Sequence, residues 1–505
     1  MEELALPPVF LYYYIYKGSF MITKLFKTRK TILYSFFLTL LFFGINYRVE
    51  FATDTYYNFI QKGAWVACLD NGRPFLALCF YVLESLPISV GMIYHIMQLL
   101  GIVFLTAATA LLAGTYNRYM ESETIAVVLS FLTIANPLII EYFLFEEKGI
   151  FMLAILLNVI AALITERTWR KQGESSAKEV VLSALFTFLC MLVAVLSYQT
   201  SVQVFVVICL PFIVIYSRSA LDFVKKNIYV AILYGASMGC ALAVAKYILH
   251  TERAVVSMDL QGGFARTAGI IRDITADSFY HLHKGEFFLW CLILAAIMAI
   301  SLIKAEKGRI KLFLSYAYIW AGCLVASFFI FVLNGSALPS PRTVYTYGML
   351  FGVILFYSAI QKKKIILNLA LAAAVIILAM EYISFGSVFI DRYQCNEADR
   401  YYAQLIREQI REYEDETGNE IDTISYYKDA TITWWDEGYG DTMLMSRAQS
   451  CGWSALNSLN FYLGREYIEG EQDPEIAEYF SQKDWGMYSE DQLIFKDNVL
   501  HICVY

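Results

Sequence analysis

Apolar residues arrive along this chain in blocks. From residue 31 to 383, stretches approaching the roughly 20 residues that cross a bilayer alternate with polar connections. Eleven spans are expected, at 31–47, 90–114, 123–140, 149–165, 180–197, 201–217, 228–249, 286–303, 312–333, 343–360 and 365–383. Residues 74–88 are apolar enough to pass for another, but Pro74, Glu84 and Pro87 favour a short helix lying at the outer interface. Beyond 383 the periodicity changes. Ala398, Tyr402, Leu405, Ile406, Ile410 and Tyr413 recur at three and four residues, an amphipathic helix that Thr417-Gly418-Asn419 stops. Ile421–Tyr427 alternates as a strand, Asp473-Pro474 opens a second short helix, and 492–496 with 499–505 reads as a hairpin about Asp497-Asn498. The pattern predicts an α-helical polytopic membrane protein of 11 spans with a small C-terminal α/β domain. Its expected parts are an N-terminal segment 1–30, a transmembrane part 31–383 and a soluble domain 384–505.

Composition sharpens that division. The 505 residues are 58% apolar and 17% charged, with mean hydropathy +0.52, well to the apolar side of soluble domains. Residues 384–505 hold 24 acidic and nine basic side chains, a net −15, and the remainder is +8. With the N-terminus placed in the cytoplasm, the inside connections hold 20 basic residues and the outside ones 10, as the positive-inside rule asks. An odd number of spans then places the acidic tail outside the cytoplasm. Its acidity argues against a polyanionic partner, and nothing suggests nucleic acid. Residues 1–20 start acidic and lack the basic start of a secretory signal, so they read as an interfacial segment or as residues ahead of a true start at Met21. Seven of the ten cysteines lie in or against spans; Cys395, Cys451 and Cys503 lie in the tail, where one disulfide is possible.

The chain has no CxxC, no P-loop and no GxGxxG, so soluble nucleotide chemistry has no visible seat. The outside loops carry the candidate chemistry. Loop 46–73 holds Glu50, Asp54, Asp70 and Arg73 among aromatics. Loop 136–148 holds Glu141, Glu146, Glu147 and Lys148, and 334–343 delivers Arg342 to the start of a span. Such charges cost roughly 2.5–3.5 kcal/mol each if forced to the middle of lipid, so a water-filled cavity suits them better. Each has a plainer reading. Asp54, Glu146 and Glu147 also read as solvated loop acids, Arg342 as a boundary arginine, and Tyr198 and Gln199 as ordinary interfacial residues. His281 and His283 with Asp277 make weak metal-ligand spacing, and no metal is expected there. Loop 250–285 reads equally as a linker, a lid or a lipid-head contact.

In order along the chain come Asp54 in the first outside loop, Asn71-Gly72-Arg73-Pro74 heading an apolar segment, and Asn136-Pro137 with Glu141 a turn beyond. Tyr198-Gln199 and Pro341-Arg342 follow at outer turns, and in the tail come Asn396, Asp399, Tyr402 and Trp485 before a closing hairpin. With these motifs on one side of the membrane, the chain resembles the polytopic Gtr-type glucosyl transferases that modify O-antigen and related surface polymers, within the GT-C superfamily. It departs from them at Thr53 and Thr55, where further acids and an arginine are frequent. The resemblance implies transfer of a sugar, glucose by analogy, from a polyprenyl-phosphate-linked donor to an acceptor glycan outside the cytoplasmic membrane, without a cofactor and with inversion at the anomeric carbon. It implies a catalytic carboxylate, Asp54 or else Glu141. Arg342, Arg73 and Lys148 would hold the donor phosphate, and Tyr56, Tyr57, Tyr198 and Gln199 would bind substrate. A glycan polymerase is the chemically nearest alternative; a transporter or flippase for a lipid-linked glycan is the other, for which internal repeats and midplane charges are expected.

Overall fold

The structure is a computed structural model and describes residues 29–44, 48–120, 122–174, 176–251, 260–333, 338–428, 447–483, 485 and 488–504. The expectation for residues 1–20 lies outside this set. The helices are α1 (Arg29–Phe43), α2 (Ala64–Asp70), α3 (Pro74–Glu84), α4 (Val90–Met120), α5 (Glu123–Ile134), α6 (Ile140–Leu144) and α7 (Lys148–Arg170). They continue as α8 (Ala177–Ser197), α9 (Gln203–Tyr216), α10 (Ala220–Ala243), α11 (Leu260–Ala276), α12 (Glu286–Lys304), α13 (Arg309–Leu333), α14 (Tyr345–Ala359), α15 (Lys364–Thr417), α16 (Ala455–Leu463) and α17 (Pro474–Ser481).

Among the described residues eight helices are long and apolar enough to cross a membrane. The other three expected spans are shorter: α1 and α14 have 15 residues each and α5 has 12. Hydropathy foretold their existence but not their setting. Every residue of α14 is buried, so its neighbours are protein, and a helix so enclosed need not match the thickness of hydrocarbon. Two glycines four apart let it lie that close. A Cβ on Gly348 would stand 2.0 Å from Asn136 Oδ1, and one on Gly352 would stand 2.1 Å from Thr133 Oγ1. The chain breaks after α5 at Asn136-Pro137, where the ring nitrogen has no proton to donate. Asn136 Oδ1 there accepts from the Leu138 N–H at 3.0 Å, and the chain turns through α6 into α7.

Two connections differ from expectation. Among its described residues, the segment 250–285 contains a helix, α11, which packs against α13. The expected boundary at 384 falls inside α15, 54 residues long and about 80 Å at 1.5 Å per residue. One helix therefore carries the membrane part into the tail with no hinge between them, and it ends at Gly418 with φ 75°, a left-handed position that suits glycine.

The tail closes as a four-stranded sheet in the order β2-β1-β4-β3, from β1 (Thr423–Lys428), β2 (Ile468–Glu469), β3 (Leu493–Lys496) and β4 (Val499–Val504). β1 runs parallel to β2 and β4, and β3–β4 is the expected antiparallel hairpin. Its core joins Ala403, Ile406 and Ile410 of α15 to Ile424, Leu459, Leu500 and Ile502. Asp473 caps α17 by accepting from Glu475 N–H at 2.9 Å, with Pro474 at the first position, as the sequence predicts. Cys395, Cys451 and Cys503 are all buried in the tail.

Candidate active site

One end of the helix bundle gathers side chains from the loop before α2, the turn before α3, the α5–α7 connection, the α8–α9 turn and the segment ahead of α14. At its centre Glu141, the second residue of α6, is buried and grips Arg342 twice. Oε2 accepts the Arg342 backbone N–H at 2.6 Å, and Oε1 lies 3.3 Å from Nε. The guanidinium lies 4.1 Å from the centre of the Phe145 ring. Tyr142 OH and Thr200 Oγ1 donate to the Arg342 carbonyl at 3.0 and 3.3 Å. Among the described residues the two terminal nitrogens have no hydrogen-bond partner. Burial raises the affinity of Glu141 for its proton, and the arginine pulls it back. Burial likewise works against charge on Arg342, but Glu141, then Tyr198, Glu147 and Asp54, outweigh it and the guanidinium holds its proton more firmly than usual.

Arg73 forms the second cation. It ends the Asn71-Gly72-Arg73 turn, where Gly72 has φ 69° and a Cβ would crowd Ala245 at 3.3 Å. Gln199 Nε2 donates to the carbonyls of Asn71 and Gly72 at 3.2 and 3.1 Å, so Gln199 fastens this turn. Arg73 reaches Glu147 at 3.5 Å and lies 4.8 Å from the centre of the Tyr198 ring. Tyr198 is itself buried between Tyr142 and Phe151. Burial raises the pKa of Glu147 and Arg73 opposes it.

Asp54 sits in a short helical turn, Thr53–Thr55, that runs into a π-helical stretch Tyr56–Gln61. It is half-buried, and its charge is felt by Glu141, Glu147 and Arg342. Oδ1 accepts from Trp453 Nε1 at 3.2 Å; among the described residues the other oxygen has no hydrogen-bond partner. Tyr57 is 42% exposed beside it. Tyr56 points the other way, fully buried, its hydroxyl 2.7 Å from that of Tyr462 in the tail.

The residues expected at the site are thus partly reunited. Asp54, Glu141, Arg342, Arg73, Tyr198 and Gln199 lie in one neighbourhood, linked by these contacts and charge interactions. Lys148 does not reach it: fully buried, it lies 3.6 Å from the centre of the Tyr94 ring in a neighbouring cluster with Glu50, Glu146 and Arg392. Thr55 Oγ1 donates to Glu146 Oε2 at 2.5 Å, which ties that cluster to the turn bearing Asp54. Arg392, a buried member carried on α15, has no local signature that sequence reading could have used. His281 is a structural residue, with Nε2 2.7 Å from the Pro137 carbonyl oxygen, and no group of metal-ligand type is found among the described residues.

Burial pushes Glu50 from its usual 4.5 up to about 7, against the opposing pull of Arg392, Lys148 and Arg48. The folded protein then keeps a proton that the unfolded chain releases between these values. Stability should fall as pH rises through this window and be lowest, by at most about 3 kcal/mol from this group, above it. Thermal unfolding of the purified protein at pH 5 and pH 8 should show a smaller difference in Glu50→Gln than in wild type. An unchanged difference would remove Glu50 as its source.

A search of curated proteins and a search of solved structures find no match to this chain. A family model does match, across residues 48–357, a stretch that contains every one of the six gathered residues and leaves all of α15 and the sheet outside it. The chain belongs to the glucosyl transferase GtrII family.

Proposed function

We propose that this site moves glucose from a polyprenyl-phosphate-linked donor to a cell-surface glycan, on the outer side of the cytoplasmic membrane. The observation that carries the proposal is the juxtaposition of one carboxylate with an open oxygen, Asp54, and two arginines, one of which, Arg342, keeps both terminal nitrogens unspent. Glu141 is the poorer base, because both of its oxygens are engaged by Arg342.

In the proposed step Asp54 accepts the proton of an acceptor hydroxyl as that oxygen bonds to the anomeric carbon. The bond from the anomeric carbon to the phosphate oxygen breaks, and its electron pair leaves with the lipid phosphate. Arg342, with Arg73 behind it, takes up the charge that gathers there. A planar fork suits a phosphate better than an ammonium does, and a phosphate leaving group needs no general acid. Attack from the face opposite the phosphate inverts the anomeric centre. Lys148 supports the Asp54 turn through Glu146 in this scheme.

Sidedness has its own test. A membrane-impermeant maleimide added to intact cells should label Asp415→Cys at the exposed end of α15 above the background of the native thiols. It should label Glu174→Cys, in the basic α7–α8 connection, only after permeabilisation. The reverse pattern would place the site in the cytoplasm and defeat the proposal.

A further inference from the structure

Trp453 belongs to the tail, outside the stretch that the family model matches, yet its indole N–H donates to Asp54. Trp453 remains 43% exposed although its N–H is engaged. The segment that presents it is firmly held. Asp399 of α15 accepts from Arg447 Nε at 2.9 Å and from the Ala448 N–H at 2.7 Å, and all three residues are buried. Gln449 Nε2 donates to the Asp399 carbonyl at 2.7 Å, and Ser454 Oγ closes the turn on the Ala448 carbonyl at 2.7 Å.

The opposite face of the junction is equally fixed. Asn396 pairs with the Phe51 backbone in both directions, receiving its N–H at 2.9 Å and donating to its carbonyl at 3.1 Å. The Phe51 and Phe461 rings meet edge to face at 5.5 Å. The tail and the loop bearing Asp54 therefore form one surface, from which Trp453 projects. Tyr57, three residues after Asp54, is another exposed ring there.

We propose that Trp453 is the acceptor-binding residue of this enzyme: its exposed face stacks on the apolar C–H face of the acceptor sugar while its N–H holds Asp54 toward the attacking hydroxyl. The inference rests on the proposed function and adds where the acceptor sits and which part of the chain selects it. A rigid indole offers a wide apolar surface with one polar handle, and both are engaged here. Because the platform lies in the tail, acceptor choice resides in a part of the chain separate from the donor-binding arginines.

The test uses the full-length purified protein, polyprenyl-phosphate glucose, and the undecorated surface glycan isolated from cells lacking this chain. Trp453→Ala should raise the acceptor KM about tenfold, the loss of roughly one well-placed aromatic contact. The donor KM should stay within about twofold, since no donor contact is removed. Trp453→Phe keeps a flat ring but loses the N–H, and should lower kcat with little change in acceptor KM. An acceptor KM unaltered in Trp453→Ala, or Trp453→Phe as damaged in acceptor KM as Trp453→Ala, would overturn the stacking role. Asp54→Asn run beside them separates the two ideas. If Asp54→Asn loses transfer while Trp453→Ala binds acceptor normally, only this inference fails; if Asp54→Asn keeps transfer, the assignment of the base fails.

Discussion

Asp54→Asn should leave the protein folded in the membrane and lower glucose transfer about 10²–10⁴-fold, the usual contribution of a positioned acid or base. The substitution keeps the shape of the side chain and an oxygen for Trp453 Nε1 to meet, so the interface with the tail survives. What disappears is the negative charge and the capacity to take a proton. The loss should appear mainly in kcat, because among the described residues Asp54 makes no hydrogen bond or ion pair with Arg342 or Arg73 and acts on the donor site only through its charge. Glu141→Gln separates the two candidate carboxylates. Its oxygens are spent on the Nε and backbone N–H of Arg342, so its first effect should be on donor KM through a displaced arginine. Loss of kcat in Glu141→Gln at normal donor KM, with Asp54→Asn active, would reverse the assignment.

Arg342→Ala should lower kcat/KM for the lipid-linked donor about 10²–10³-fold, the scale expected when one charge-stabilising donor leaves an active site. A complication is built into the geometry. Removing the guanidinium leaves the buried Glu141 with only the backbone N–H of residue 342, and a buried charge that loses its ionic partner costs up to about 3–5 kcal/mol in stability. The double variant Arg342→Ala with Glu141→Gln relieves that penalty and should recover protein stability without recovering transfer. Arg342→Lys should rescue only part of the activity, because an ammonium cannot keep Glu141 on one edge and present two parallel donors on the other. Normal donor kinetics in the stable double variant would remove Arg342 from the phosphate site.

Hydropathy placed a helix at each of the eleven expected spans, eight of them long and apolar enough to cross a membrane among the described residues, because length and apolarity are properties of contiguous residues; it gave no sign of α2, α6 or α11. It was blind to which helices lie among others. α14 reads like any other span, and its enclosure rests on Gly348 and Gly352 meeting a segment more than 200 residues earlier. The hairpin and the capped α17 were legible because turn and cap chemistry are local. The run of α15 through residue 384 was not, since a change of composition looks the same whether or not the backbone bends. The candidate site divides in the same way. Asp54, Arg73, Glu141 and Arg342 announce themselves as charges beside apolar blocks, and their motif order carried the family resemblance. That Glu141 holds Arg342 is a contact between residues 201 apart, and that Trp453 holds Asp54 is one between residues 399 apart. Neither pairing has a local signal. Lys148 and Tyr56 show the converse: both have suitable chemistry and suitable neighbours in sequence, yet their side chains turn into buried clusters, against Tyr94 and Tyr462.

The most direct measurement is transfer by the purified full-length protein in lipid, supplied with undecorated surface glycan and with either polyprenyl-phosphate glucose or a nucleotide-linked glucose. Product should form from the lipid-linked donor alone, with inverted anomeric configuration by NMR, and Asp54→Asn should nearly abolish it. Transfer from the nucleotide-linked sugar, or lipid-linked transfer that persists in Asp54→Asn, would contradict the proposed reaction.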